Sequence, residues 1–183
     1  MVRTFPGFAQ IFLVLGVLCF AGCQTVQSGA GSEGEDILLG EVPALENMRV
    51  FKNLAASEPG TAAFENARIE YLFERLKQSR YNFIRNGKTY STARAVAHLK
   101  WKYLRVKKDI STAEDFVEKI ASGSRKSGDP YLVRIAEGQT YPLKLVFQSE
   151  LKRLDQVWAL YLKKIKNGVA ETTQANEVSG GGT

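Results

Sequence analysis

Tyr81-Asn82-Phe83-Ile84-Arg85-Asn86-Gly87-Lys88-Thr89-Tyr90 is the stretch that decides the fold class. Asn86-Gly87 suits a two-residue hairpin turn, because both central positions need a positive φ. The aromatic and β-branched residues on either side suit short strands. A lone hairpin is marginal in water, so it calls for a further strand and a packed face. Tyr131-Leu132-Val133-Arg134-Ile135 alternates and offers that strand over 131–136, with Glu137-Gly138 turning the chain after it.

Helical spacing surrounds these strands. Ile69, Leu72, Phe73 and Leu76 predict an amphipathic helix over 62–80. Ser91 or Thr92 can cap a second, running to about Lys107 and buried along Val96, Leu99, Tyr103 and Val106. A third starts at Ser111, where Ser111-Thr112-Ala113-Glu114 has capping-box spacing, and buries Phe116, Val117 and Ile120. A long helix from about Leu143 carries Phe147, Leu151, Leu154, Trp158 and Ile165 on one stripe, with Asn167-Gly168 as its stop. The expected architecture is a small α+β domain: a short three-stranded antiparallel sheet, hairpin plus one strand, packed by about four helices.

Outward from this unit, composition divides the chain into a signal segment (1–22), a flexible tether (23–60), the globular domain (61–168) and a disordered tail (169–183). The tether is rich in Gly, Ser and Glu, although Ile37-Leu38-Leu39 and the stretch Val42 to Val50 offer apolar residues that could dock locally. The tail has too little apolar content to fold by itself.

Arg3 and the run from Ile11 to Phe20 have the form of a signal peptide, and Phe20-Ala21-Gly22-Cys23 reads as a bacterial lipidation site. Cleavage before Cys23 would leave a diacylated thiol, an anchor rather than a span. The competing reading is an ordinary secretory signal or a retained short membrane helix. Phe20 stands where leucine is more usual, and Gln24 follows the cysteine where aspartate would favour inner-membrane retention. The expected location is therefore the outer membrane, facing the periplasm. Cys19 lies within the signal and Cys23 would be acylated, so no thiol remains for a disulfide. With His98 the single histidine, no metal site is expected, and no motif calls for a cofactor.

The chain carries a net charge of +6. Arg75, Lys77, Arg80, Arg85, Lys88, Arg94, Lys100, Lys102, Arg105, Lys107 and Lys108 follow one another without an Asp or Glu between them. Such a run attracts anions: lipid headgroups, lipopolysaccharide phosphates or peptidoglycan carboxylates. Its bland counterpart is a solvated face partly paired with Glu114, Asp115 and Glu118. Tyr81, Tyr90, Trp101 and Tyr103 could stack on nucleic acid, but export argues against that partner.

Two places carry candidate chemistry. The loop Ser122-Gly123-Ser124-Arg125-Lys126-Ser127-Gly128 combines glycines, hydroxyls and cations, the ingredients of an anion nest, without the spacing of a nucleotide-binding loop. His98, Lys102 and Arg105 share a helix face, with Arg85 on the hairpin. The candidate ligand-binding residues are Arg85, His98, Lys102, Ser122, Ser124, Arg125, Lys126 and Ser127; no catalytic residue is assigned. The alternative is an envelope hydrolase in which His98 activates a serine of the 122–127 loop with help from Glu114 or Asp115. Against it, no nucleophile-elbow motif occurs, and a histidine donating to a backbone carbonyl is the favoured role for His98. Ser149-x-x-Lys152 has no companion motif. Trp158, Tyr161 and Leu162 exceed what one narrow stripe buries, which suggests a protein partner or a second copy on the last helix.

Residues 83–90, then Ala95, Ala97-His98-Leu99 and Lys102, then Ser111 to Phe116, Ala121-Ser122 and Ser127-Gly128-Asp129-Pro130-Tyr131 together resemble the YfeK-like family of bacterial envelope proteins. The resemblance spans about Phe64 to Leu154. It implies a small exported domain with no established activity, cofactor or catalytic residue. Gly123, Arg125 and Lys126 interrupt the serine run that the resemblance implies after Ala121, so no serine cluster is carried over. The expected function is a non-catalytic binding or accessory module of the envelope with a basic surface.

Overall fold

The computed structural model describes residues 36–41, 44–135 and 138–179, with residues 168–179 as backbone alone. The expected signal segment, Cys23, residues 24–35 and residues 180–183 lie outside them. A 3-10 turn (Leu45–Asn47) leads into α1 (Arg49–Ala55) and α2 (Ala62–Gln78). The hairpin follows as β1 (Asn82–Arg85) and β2 (Lys88–Tyr90), then α3 (Thr92–Val106). The short α4 (Ala113–Phe116) continues as a π turn (Val117–Ala121). Then come β3 (Leu132–Arg134), β4 (Thr140–Pro142) and the long α5 (Leu143–Ser179).

The class is α+β as the sequence predicts, but the sheet has four strands, ordered β2-β1-β3-β4 and antiparallel throughout. The unexpected strand is β4, three residues long and ending in Pro142. Proline has no N–H for a ladder and is tolerated at a sheet edge, which is where β4 lies. Asn86 (φ 49°) and Gly87 (φ +68°) take the paired left-handed conformations that the hairpin turn demands. The third expected helix is capped one residue later than the sequence suggests, by Thr112 instead of Ser111. Thr112 Oγ1 accepts from Asp115 N–H at 3.0 Å, and the Asp115 carboxylate accepts in turn from Ser111 N–H.

Pairing fixes what the sheet presents. Phe83 stands opposite both Tyr90 and Val133, and Val133 opposite Tyr141, so these share one face. Phe83 and Val133 are buried there with Leu99 and Leu143. Arg85, two residues beyond Phe83, and Tyr131, two before Val133, project from the same face. One more step of the β1–β3 register puts them opposite one another. The rest of the core joins α2, α4 and α5 through Phe73, Phe116 and Phe147, whose rings pack at 5.2 and 6.2 Å. Arg68 on α2 binds Glu65, Glu114 and Asp155, tying α2, α4 and α5 together at the edge of that core.

Of the segment expected as a flexible tether over 23–60, much of the part from Asp36 onward packs. Leu39, Leu45, Val50, Phe51 and Leu54 are buried. Phe51 lies edge-on to Trp158 and Tyr161 of α5, so α1 covers the aromatics expected to seek a partner. Residues 39–41 are held by main-chain hydrogen bonds. Glu150, wholly buried, accepts from Leu39 N–H at 2.7 Å, from the Tyr71 hydroxyl at 2.7 Å and from Arg75 Nε at 2.9 Å. Arg75 donates to the carbonyls of Leu39, Gly40 and Glu41. At the other end, α5 runs through Gly168 to Ser179, so residues 169–179 of the expected unfolded tail are helical backbone. A helical glycine costs about 1 kcal/mol relative to alanine, a weakening and not a stop.

Candidate functional site

α3 lies against the hairpin with Ala95, His98, Leu99 and Lys102 at helical spacing on its inner side. Between this face and β1 is a cavity of about 230 Å³. Its buried lining is Phe83, Leu99, Tyr131 and Leu143, and its solvent side is formed by Arg85, Arg94 and His98. Tyr131 and Arg94 were not among the sequence candidates. The sheet register was the available signal for Tyr131.

Four polar side chains form a chain of contacts at this end of the sheet. Arg85 Nη1 faces His98 Nδ1 at 3.5 Å, and His98 Nε2 lies 3.0 Å from the Tyr131 hydroxyl. Lys102 Nζ approaches the same hydroxyl at 3.4 Å. A guanidinium and an ammonium only donate, so the tautomer follows. His98 Nδ1 accepts from Arg85, Nε2–H donates to Tyr131, and the tyrosine oxygen receives both His98 and Lys102. Tyr131 is left with its own hydroxyl proton to donate. Burial, then the charges of Arg85 and Lys102, hold the His98 imidazole below its ordinary pKa, in keeping with a neutral ring. His98 therefore meets a tyrosine hydroxyl instead of the backbone carbonyl expected for it.

Lys102 serves the scaffold. Its ammonium is buried and donates to Ile120 C=O at 2.6 Å and Gly123 C=O at 2.9 Å, besides Tyr131. These carbonyls sit where the π turn ends, the negative pole of that short helix. Burial first, then Arg125 and Arg85, push its pKa down to about 8. All three N–H donors of Lys102 are thereby engaged.

The 122–128 loop folds onto itself. Ser124 N–H donates to Asp129 C=O, Gly128 N–H to Ser124 C=O, and Tyr131 N–H to Ser122 C=O. Ser122 Oγ donates to Glu118 C=O, and Ser127 Oγ reaches Asn86 at 3.5 Å. These amides are spent on the loop's own closure. Arg125 and Lys126 are exposed and stand in no ion pair among the described residues, while Ser124 is buried. Arg85, His98 and Lys102 gather at one end of the sheet with the Arg125 charge near Lys102; among the described residues Ser122 and Ser127 make no hydrogen bond to His98. Both His98 ring nitrogens face Arg85 and Tyr131, with no serine or carboxylate bonded to them among the described residues.

The basic run is not one uniform face. Arg75 and Lys102 are internal, and Lys100 pairs with Glu70. The acids expected to neutralise the run are committed elsewhere: Glu114 to Arg68, Asp115 to Lys119 and Glu118 to Lys144. Arg85 and Arg94 stand in no ion pair among the described residues. Trp101, 54% exposed, stacks on His98 and carries Arg105 over its ring at 4.8 Å, extending the basic rim beside the cavity.

No cluster of His, Cys, Asp or Glu that could hold a metal occurs among the described residues, and none of their helices is long and apolar enough to cross a membrane. On α5, Leu160, Leu162 and Ile165 remain exposed.

The fold and this site define a small α+β domain with a positively charged, apolar-lined pocket. The chain belongs to the family of unknown function DUF5329, whose profile matches residues 63–155. It is similar to the uncharacterized protein YfeK of Salmonella typhimurium, 40% identical over 70 residues, which cover 38% of this chain and 58% of that protein. The chain thus spans little more than half the length of the curated relative it matches. No solved structure matches it.

Proposed function

We propose that this chain is a lipoprotein of the bacterial outer membrane, anchored through acylated Cys23, whose domain is a non-catalytic module binding anionic lipid headgroups on the periplasmic side. The carrying observation is the gathering of Arg85, His98, Tyr131 and Lys102, with Arg125 nearby, to which no carboxylate of the described residues is bonded. Lys102 and His98 are satisfied within the group, whereas Arg85 and the Tyr131 hydroxyl keep donors without an acceptor, and spare donors in a positive field favour an anion brought from outside. The location rests on the signal-like segment and the residues around Cys23.

Sedimentation of the chain without its expected signal segment 1–22 and carrying Cys23→Ser with vesicles tests the surface apart from the anchor. Retention on vesicles containing phosphatidylglycerol should exceed that on phosphatidylcholine alone and fall as salt rises. Arg125→Glu with Lys126→Glu should reduce it further. Retention indifferent to lipid charge and salt would refute the reading. Labelling cells with an alkyne-bearing palmitate should mark the wild-type chain and leave Cys23→Ser unmarked.

A further inference from the structure

The cavity between α3 and β1 sets beside the donors of the headgroup reading a property that reading does not use, an apolar floor. Phe83, Leu99 and Leu143 are each at most 4% exposed, and they line a volume of about 230 Å³. An apolar cavity of about 150 Å³ already accommodates benzene, whereas drug-sized ligands occupy about 300 Å³ or more. The room here fits a short apolar chain. Around the opening, Arg94 is exposed and unpaired among the described residues, and Arg85 spends one N–H on His98. Tyr131, 6% exposed, has accepted two hydrogen bonds and keeps one proton to give. Each of these groups has donors to spare, and no carboxylate of the described residues meets them.

We propose that the cavity takes a single-chain anionic amphiphile, its carboxylate at Arg85, Arg94 and Tyr131 and the end of its chain against Phe83, Leu99 and Leu143. This rests on the anion-binding reading of the same residues and adds the class of ligand. Charge brings the headgroup to the opening, and burial of methylenes supplies chain selectivity. A headgroup without a chain leaves the floor empty, and a chain without a charge leaves the donors unanswered.

The test is calorimetric titration of the chain without its expected signal segment 1–22 and carrying Cys23→Ser with sodium octanoate, sodium hexanoate, sodium acetate and 1-octanol. Octanoate should bind, and hexanoate about fifteenfold more weakly, since each of the two missing methylenes is worth roughly fourfold in affinity. Acetate and octanol should give no saturable heat. Arg94→Glu, on an exposed position that leaves the core intact, should weaken octanoate at least about tenfold. Ala95→Phe, on the cavity wall, should fill the cavity and abolish octanoate binding. Circular dichroism of each variant separates lost binding from lost fold. Absence of octanoate binding to the folded wild-type chain, or equal binding of octanol, would overturn the proposal. If vesicle retention is lost while octanoate still binds, the headgroup surface fails and the pocket stands.

Discussion

Arg85 can only donate, and that single chemical fact orders the residues around it. It makes His98 accept at Nδ1, which sends the other ring proton to Tyr131 and fixes the ring as neutral. His98 thus has a folded pKa below its ordinary value of about 6.5. A depressed pKa means that the unfolded chain takes up the proton first as pH falls. Its contribution to stability is present above about pH 6.5 and is lost as pH drops through the folded value. Chemical denaturation at a series of pH values should show a decline below about 6.5 that His98→Gln flattens; parallel profiles would refute the assignment. Arg75 and Glu150 test burial more severely. Removal of one partner strands a charge in the core, so Glu150→Ala should cost about 3–5 kcal/mol by urea unfolding. A loss below about 1 kcal/mol would show that the network does not hold the fold. This pair was legible in principle. Arg75 lies four residues from Tyr71 and three from Leu72 on the apolar stripe of α2, and Glu150 sits between Phe147 and Leu151 on α5. Reading Arg75 as one member of a basic surface run hid that position.

Among the elements, those with strong local signals were readable and those held by tertiary contact were not. The hairpin needed only Asn86-Gly87, and α2, α3 and the start of α5 needed only spacing and caps, because those causes lie within a few residues. The strand β4 has three residues and no period of its own; β3 pairs with it and so makes it a strand. The loop between the π turn and β3 behaves likewise. Gly123 and Pro130 form a bridge there, and a Cβ on Gly123 would stand 2.5 Å from the Asp129 carbonyl oxygen. Gly123→Ala must therefore open the bridge and shift a carbonyl that Lys102 binds. We expect a loss of about 2 kcal/mol in urea unfolding, within the usual span for a point substitution. Lys102→Met should give a loss of similar size, about 1–3 kcal/mol, by leaving the Ile120 and Gly123 carbonyls unsatisfied. Near-neutral results for both would mean that the loop closes without this support. The serines and cations of the loop were visible in sequence, whereas the spending of its amides on self-closure was not, since that depends on three-dimensional return of the chain.

For the molecule as a whole, the domain starts earlier than composition indicates. Gly, Ser and Pro near residues 57–60 mark a turn between α1 and α2, and α1 itself covers Trp158 and Tyr161. Deleting residues 36–57 should lower the unfolding temperature well beyond deletion of residues 24–35, by scanning calorimetry; equal effects would restore the longer tether. Half of the site was therefore available from sequence, as the basic residues Arg85, His98 and Arg125, and half came from the register that puts Tyr131 and an apolar floor beside them. The grip of Glu150 and Arg75 on residues 39–41 also sets a radius of action. If Cys23 carries the anchor we propose, only the span from Cys23 to Leu39 separates the bilayer from the first clamped residue. At no more than about 3.6 Å per residue, that span cannot exceed roughly 60 Å. The pocket is then leashed to within a few nanometres of one membrane face, where it can exchange a ligand with that leaflet and has little prospect of ferrying it across to another.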